Sequence, residues 1–475
     1  MRVRFGPVGV AWRPARSRPV KGVTRPWRIR GPATHLAVAL LALLIAACGA
    51  PIEPVPDEKE RRVEIDGFET TFTPIRTRGA TAIGCDVGFG GGSITVTEFV
   101  GRTAEGATYF HYTPNDAWNG ELVLYARGYV PPGQLDVLVA AFLLGRELPD
   151  RVQEVVDLRD ALLCSGYAFA LSAYASAGYA VEEGFRDTHL LNALFAWHGE
   201  EPTRTFLVGH SMGALIATAL IESYPRTVSG GTYEGGLATC GPVGGSLLQM
   251  DYIGNVRVVF DHLFPGVIEG NVLAPSEQSF EDVVAAIAIA LADADAELLE
   301  LLAEMRVTGL APDGVQDAGL SPGEVRLLRH DPGVAEPEDI AEALARALFY
   351  DVLGKEDVLA RGDGGLPLDN QDVTYLPDDP VLDGIERFVG DPDAIAYFGA
   401  WYVSGGALGR PLRLVHSEFD ADVPAYHVDA YLAGLDDISR DRVDAVIIPG
   451  DPSHCVMPTT ELFGHFQELV DAATP

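Results

Sequence analysis

Basic residues are scarce in this 475-residue chain: 34 Lys and Arg stand against 68 Asp and Glu, a formal net charge of −34. A surface of that sign repels phosphate backbones, so no nucleic-acid partner is expected. Metal-binding patterns are missing as well. No His-Glu-x-x-His and no Cys-x-x-Cys occurs, which gives no reason to expect a metal or any other cofactor. The glycine-rich "GFGGGS" (88–93) lacks the Gly-Lys-Ser/Thr ending of a phosphate loop and reads as a flexible turn. Near the N-terminus, "HLAVALLALLIAACGAP" (35–51) holds only about twelve consecutive apolar residues, too few to span a bilayer stably.

What the first residues do contain is a leader pattern. Positions 1–30 carry nine Lys and Arg and no acid, and the short apolar run follows. Its end, Ile45-Ala46-Ala47-Cys48, resembles the lipobox of bacterial lipoproteins, in which the chain is cut before the cysteine and the thiol takes diacylglycerol. The resemblance implies a signal peptide over 1–47 and a chain exported to the periplasm or outer face of the envelope, held to the membrane through Cys48. An ordinary secretory signal with Cys48 incidental is the alternative. The basic segment is long for such a leader, which leaves the position of the start codon open. Removal of 1–47 leaves 25 basic residues against 68 acids, a net charge of −43. Of the five cysteines, Cys85, Cys164, Cys240 and Cys455 lie beyond Cys48. An even number in an exported chain permits two disulfides, with three possible pairings.

The Pro-rich, charged "GAPIEPVPDEKERR" (49–62) reads as a tether, assigned to 48–65. "GSITVTEFVG" (92–101) and "ATYFHYTP" (107–114) read as paired strands. "GELVLYARGYVPPG" (120–133) is a buried strand ending in a corner. A helical face follows (Val152, Val155, Val156, Leu162, Leu163), then the strand "YAFALSAY" (167–174), the helix "EGFRDTHLLNALFAW" (183–197) and the strand "RTFLV" (204–208). Such alternation predicts a mostly parallel sheet covered by helices on both faces. The rhythm stops after "GGLATCGPVGG" (235–245). Between Cys240 and Leu412 lie 171 residues, far beyond the dozen or so that a crossover needs. Two acidic amphipathic stretches, 281–305 and 338–353, make residues 246–404 an inserted, mainly helical cap, between core segments 66–245 and 405–475. Two surface helices with loops would be the plainer alternative. The strands "PLRLVH" (411–416) and "VDAVIIPG" (443–450) and the helix "TTELFGHFQELVDAA" (459–473) then complete the sheet.

"RTFLVGHSMGALIATALIESYP" (204–225) places Ser211 between Gly209 and Gly213 where a strand becomes a helix. A serine hydroxyl needs a base to take its proton, a group to orient that base, and amides to hold the oxyanion that forms. At a sharp strand-to-helix turn, flanking glycines let the two elements approach while the serine projects, and the helix N-terminus favours developing negative charge.

With a strand, corner and helix before it and an acid and a histidine after it, "LVGHSMGA" (207–214) resembles the α/β-hydrolases, close to the secreted esterases and lipases. The resemblance covers most of 95–245 and 405–475. In that family the order is serine, acid, histidine. "HSEFDADVP" (416–424) resembles the acid loop and makes Asp420 the acid, ahead of Asp422 and Glu418; "PGDPSHCV" (449–456) supplies His454 as the base. The oxyanion amides implied are those of Met212 and Tyr129. Where many relatives have His-Gly-x, this chain reads Arg127-Gly128-Tyr129, and a structural role for Arg127 is preferred to contact with a substrate carboxylate. His210 and His416 read as packing and bracing residues. Resemblance to the tannase-like and feruloyl esterases suggests a Cys240–Cys455 bridge, although there the cysteine directly precedes the serine, where this chain has His210; two buried thiols are the other reading.

The function implied is hydrolysis of a carboxylic ester, a small molecule, through an acyl-enzyme on Ser211. An amidase or peptidase could use the same three residues, and a surface binding protein could keep the fold without the chemistry. The cap is expected to line an apolar pocket with "LFPG" (263–266) and "YFGAWYV" (397–403), and thereby to favour uncharged esters over anionic ones.

Overall fold

The computed structural model describes residues 61–475 except 137–138, 140–149, 200, 228–229, 277, 293–336, 374, 376–383, 403, 419, 450, 452 and 475. The leader 1–47, the candidate lipidation site Cys48 and residues 49–60 lie outside the described residues.

Six strands run parallel because each is followed by a helix that returns the chain to the same edge. They are β5 (Glu121–Ala126), β6 (Ala168–Ser172), β7 (Arg204–His210), β8 (Tyr233–Thr239), β9 (Leu412–Ser417) and β10 (Val443–Ile448). Four antiparallel strands extend one side: β1 (Arg61–Ile65), β2 (Phe68–Gly84), β3 (Ser93–Thr103) and β4 (Thr108–Pro114). The order across the sheet is β1-β2-β3-β4-β6-β5-β7-β8-β9-β10. Every residue of β5, β6, β8 and β9 is buried, as strands covered on both faces require.

Side chains alternate across the sheet and feed two cores. Leu122 and Leu124 join α2 (Val181–His198) and α3 (Met212–Ser223) on one face. Val123 and Tyr125 join α1 (Asp150–Cys164) and α10 (Thr459–Ala473) on the other. Helices α8 (Tyr426–Gly434) and α9 (Asp437–Arg440) connect β9 to β10. The expected class is the one observed. With a serine on the turn from β7 to α3 and the acidic and histidine loops after β9 and β10, it is an α/β-hydrolase fold.

One boundary needs correction. Residues 61–65, read as the end of the tether, form β1, paired antiparallel with β2. Val63 alone in this strand is buried, and Arg61 stacks 4.4 Å over the Trp197 ring, so an edge strand of mostly charged residues gives almost no alternating apolar signal. At the turn after β2, Cys85 is bonded to Cys164 at the end of α1.

Between β8 and β9 the described insert consists of α4 (Ser246–Leu263), α5 (Phe280–Ala292), α6 (Pro337–Arg361) and α7 (Pro392–Ala400). Helix α5 covers the start of the stretch expected over 281–305, whose remainder lies outside the described residues, and α6 runs eight residues beyond the expected 353. Charges tie α4 to α6. Arg257, almost fully buried, donates to Asp261 at 2.8 Å and to Asp351 at 3.0 Å, and Lys355 pairs with Asp351 while donating to the Val272 carbonyl at 2.8 Å. Buried charges arranged this way leave none uncompensated.

His111 on β4 is wholly buried, and neither ring nitrogen has a hydrogen-bond partner among the described residues. Its ring faces Tyr109, Phe195 and His198, and burial, helped by the neighbouring His198, holds its pKa well below the ordinary value. The unfolded chain therefore takes up this proton first as pH falls. The corresponding stability is complete above about 6.5 and is lost below it. In urea unfolding, the stability of His111→Phe relative to wild type is expected to rise by about 1.4 kcal/mol per pH unit between pH 6 and 5. An offset equal at pH 7.5 and pH 5 would refute this.

Candidate active site

Ser211 sits between β7 and α3 with φ 57° and ψ −129°, a conformation that costs a residue bearing a Cβ of the order of 1–3 kcal/mol. The surroundings impose it. A Cβ on Gly209 would strike the Gly213 carbonyl, and one on Gly213 would strike the Ala126 carbonyl. Only glycine at both positions lets β7, α3 and β5 meet so closely. The Ser211 amide donates to the Thr239 carbonyl on β8 at 2.9 Å, and α3 begins at Met212, so the amides of its first turn lie at the elbow.

The corner after β5 packs directly on this turn: a Cβ on Gly128 would lie 3.3 Å from both the Ser211 Cβ and the His210 carbonyl. Tyr129, whose amide is the expected second oxyanion donor, therefore follows a residue in contact with Ser211. Arg127 holds the corner from beneath. Its guanidinium donates to the carbonyls of Ala173 (2.9 Å), Gly128 (2.8 Å) and Ser176 (2.9 Å) and stacks 4.1 Å over the Tyr174 ring. Burial lowers its pKa to about 10.

The loop after β9 carries Asp420, which is 4% exposed. Oδ1 accepts from the amides of Asp422 (2.8 Å) and Val423 (3.2 Å), and Oδ2 accepts from His454 Nδ1 at 2.6 Å. Burial by itself would raise this carboxyl, but the charge and hydrogen bond of His454, together with His416, hold it below the usual carboxylate range. His416 Nε2 donates to the Val423 carbonyl at 2.8 Å and lies 3.8 Å from Asp420, so it braces the acid loop. Of the neighbouring acids, Asp422 pairs with Arg346 of α6 at 3.6 Å, and Glu418 gives its amide to the Ile448 carbonyl.

His454 follows β10 on a loop fixed at several points. Asp451 accepts from Ser417 Oγ (2.7 Å) and from the Ser453 amide (2.9 Å), and the Cys455 amide donates to Ser417 Oγ at 3.2 Å. Cys455 is bonded to Cys240, just past β8, with their Cα atoms 5.7 Å apart. His210 shares a hydrogen bond with Thr239 Oγ1 at 3.1 Å and packs edge-on against the His454 ring, their centroids 4.8 Å apart. Two clusters of ligand-type atoms exist among the described residues, Cys240/His416/Asp420 and Asp420/Asp422/His454. The first contains a disulfide sulfur, and both share Asp420, whose two oxygens already accept hydrogen bonds.

Two cavities meet at Ser211, and Tyr129 and Tyr350 line both. One, of about 50 Å³, is walled by α4, α6 and residues 366–368; the other, of about 350 Å³, lies toward α1 and includes His454. Tyr350 of α6 is hydrogen-bonded to Ser211 and packs its ring edge-on against Tyr129 at 5.1 Å. Nothing in the sequence singles it out, since an aromatic in an amphipathic helical stripe reads as core. Residues 263–266 and 397–402, expected to line the pocket, border neither cavity. Phe264 packs on Phe260 at 5.1 Å and Phe398 against Tyr179 at 5.8 Å, so these apolar runs are taken up in packing; Val403 lies outside the described residues.

No protein-family model matches the chain, and no curated protein does. Solved structures do match. A ligand-bound form of the rice cell wall degrading esterase LipA from Xanthomonas oryzae is 16% identical, covering 85% of this chain and 99% of its own, with a TM-score of 0.43. Candida antarctica lipase A in its closed state is 15% identical, covering 85% and 83%, at 0.41. An esterase from Pyrococcus furiosus is 10% identical, covering 82% and 98%, at 0.37. These structural neighbours are esterases and lipases, and at such identities the likeness is one of fold alone.

Proposed function

We propose that the chain is an exported, lipid-anchored serine hydrolase that cleaves carboxylic esters of small molecules. The observation that carries the reading is the 2.6 Å bond between buried Asp420 and His454, whose ring opens with Ser211 on one cavity. By accepting from Nδ1 at 2.6 Å, Asp420 fixes the tautomer whose Nε2 carries the lone pair and can act as a base. His454 takes the Ser211 proton as Oγ attacks the ester carbonyl, and the amides of Met212 and Tyr129 receive the oxyanion. When the tetrahedral adduct collapses, His454 returns the proton to the departing alcohol oxygen. Water, activated by the same imidazole, then releases the acid from Ser211. A fluorophosphonate probe is expected to label Ser211 and no other residue, and the purified protein to turn over esters faster than matched anilides and peptides. Label on another residue, or a preference for anilides, would sink the reading.

Anchoring rests on the leader and on Ile45-Ala46-Ala47-Cys48, and two disulfides suit a chain that folds outside the reducing cytosol. Cys48→Ser is expected to move the protein from the membrane to the soluble exported fraction. An unmodified mature N-terminus beyond residue 48, found by mass spectrometry, would exclude the anchor.

A further inference from the structure

The two cavities at Ser211 are unequal in size and differ in which part of the site they touch. Met212, the residue after the candidate nucleophile, lines the small cavity only, and His454 lines the large one only. In acyl transfer from a serine, the histidine must reach the leaving oxygen to protonate it, so the alcohol lies on the histidine side and the acyl group on the other. Resting on the ester-hydrolase reading above, we propose that the small cavity takes the acyl group and the large cavity the alcohol. The substrate class is then a short-chain acyl ester, acetyl to butyryl, of a bulky apolar alcohol.

The volumes set the lengths. The small cavity, about 50 Å³, has a seventh of the room of the large one, about 350 Å³. The small cavity also has a barrier to extension. Its wall includes Asp351 and Lys355, whose charges are engaged with each other, with Arg257 and with the Val272 carbonyl. A longer chain reaching them would displace a bonded network in place of entering open space. The rest of the wall includes the apolar Met250, Ile253 and Leu368 beside the Gln249 amide and the rings of Tyr129 and Tyr179. The large cavity is bounded by Phe110, Tyr125, Val152, Val155 and Leu171, with the Arg346–Asp422 pair also on its wall. Tyr350, shared by both and bonded to Ser211, is the partition. An anionic alcohol would bring its charge onto a surface that is apolar apart from a few charged groups, in a strongly acidic chain.

The test uses the mature protein and two ester series. In the first, butanoate, hexanoate and octanoate esters share one alcohol. In the second, acetates of ethanol, benzyl alcohol and 1-naphthylmethanol share one acyl group and have primary alcohols of similar basicity, so size is the variable. Between butanoate and octanoate kcat/KM is expected to fall at least tenfold, and from ethyl to naphthylmethyl acetate to rise at least tenfold. Val155→Trp, which fills the large cavity, is expected to lower the naphthylmethyl-to-ethyl ratio at least tenfold. Ile253→Ala, and Met250→Ala should the first fold poorly, are expected to shift the acyl optimum by two or more carbons. The crossed result, with Val155→Trp moving the acyl optimum and Ile253→Ala the alcohol ratio, overturns the partition while leaving the ester reading intact. Failure to find an acyl group on Ser211 by mass spectrometry with any of these esters would overturn both.

Discussion

Ser211→Ala and His454→Ala are each expected to lower kcat on a 4-nitrophenyl ester by about 10⁵- to 10⁶-fold, because nucleophile and base act as one unit and the loss of either removes the acyl-enzyme route. Asp420→Asn is expected to cost about 10⁴-fold. The amide can still fill the site beside Asp422 and Val423, but it supplies no negative charge to the imidazolium, and its NH₂ group favours the wrong histidine tautomer. Far-UV circular dichroism is expected to be unchanged in all three, since the turn at Ser211 is imposed by Gly209 and Gly213 and by their contacts with Ala126. Full activity in His454→Ala, or a loss with Asp422→Asn as large as with Asp420→Asn, would overturn the assignment. At the acid limb, Asp420 works the same way on stability. Its folded pKa is depressed, so its contribution is present above the ordinary carboxylate value and disappears as pH falls below it.

The second large effect concerns the link between Cys240 and Cys455. Replacing both by serine is expected to cost about 4 kcal/mol, since the bond closes a loop of more than 200 residues and the entropy it removes from the unfolded chain grows with the logarithm of loop length. Both cysteines also hold left-handed backbone conformations, φ 43° and φ 50°, which a residue with a Cβ adopts at a cost and which the cross-link helps to keep. Because Cys455 adjoins His454, turnover is expected to fall more than tenfold as well. Cys85→Ser/Cys164→Ser, which breaks a link between the turn after β2 and the end of α1 with a sequence separation of 79 and adjoins no candidate catalytic residue, is expected to lose comparable stability with turnover kept. Urea unfolding with and without a thiol reductant, alongside kcat, separates the two. Equal effects on turnover would refute a special role for the Cys240–Cys455 bond.

Much of this molecule is readable in its sequence because the parallel sheet writes itself as apolar runs. "ELVLYA", "AFALS" and "LRLVHS" are wholly buried strands, and their alternation with helices fixes a mostly parallel sheet without knowledge of any contact. Ser211, Asp420 and His454 are equally legible, since each sits directly after a strand or in the loop that follows one. The unread parts share a different physics. Strand β1 keeps one buried residue among charged neighbours, so period-two patterning has nothing to register. Tyr350 reaches Ser211 from a helix 139 residues further along, and only the packing of α6 decides which residue of its apolar stripe faces the elbow. The insert residues expected at the pocket stand out in the sequence for being apolar, but an insert of this size must first fill its own interior. Phe264 and Phe398 do that, and the cavity wall falls to Met250, Ile253 and Leu368.

The Cys240–Cys455 bond stands at the root of the insert. The chain departs for α4 shortly after Cys240 and rejoins the sheet at Leu412, while the histidine is fastened to the point of departure. The insert hung between those points is bypassed by a covalent bolt that fastens the loop of His454 to the end of β8. The same bond marks a graft point for an engineer, since a foreign insert spliced between residues 245 and 405 would leave Ser211, Asp420, His454 and the Cys240–Cys455 link in place.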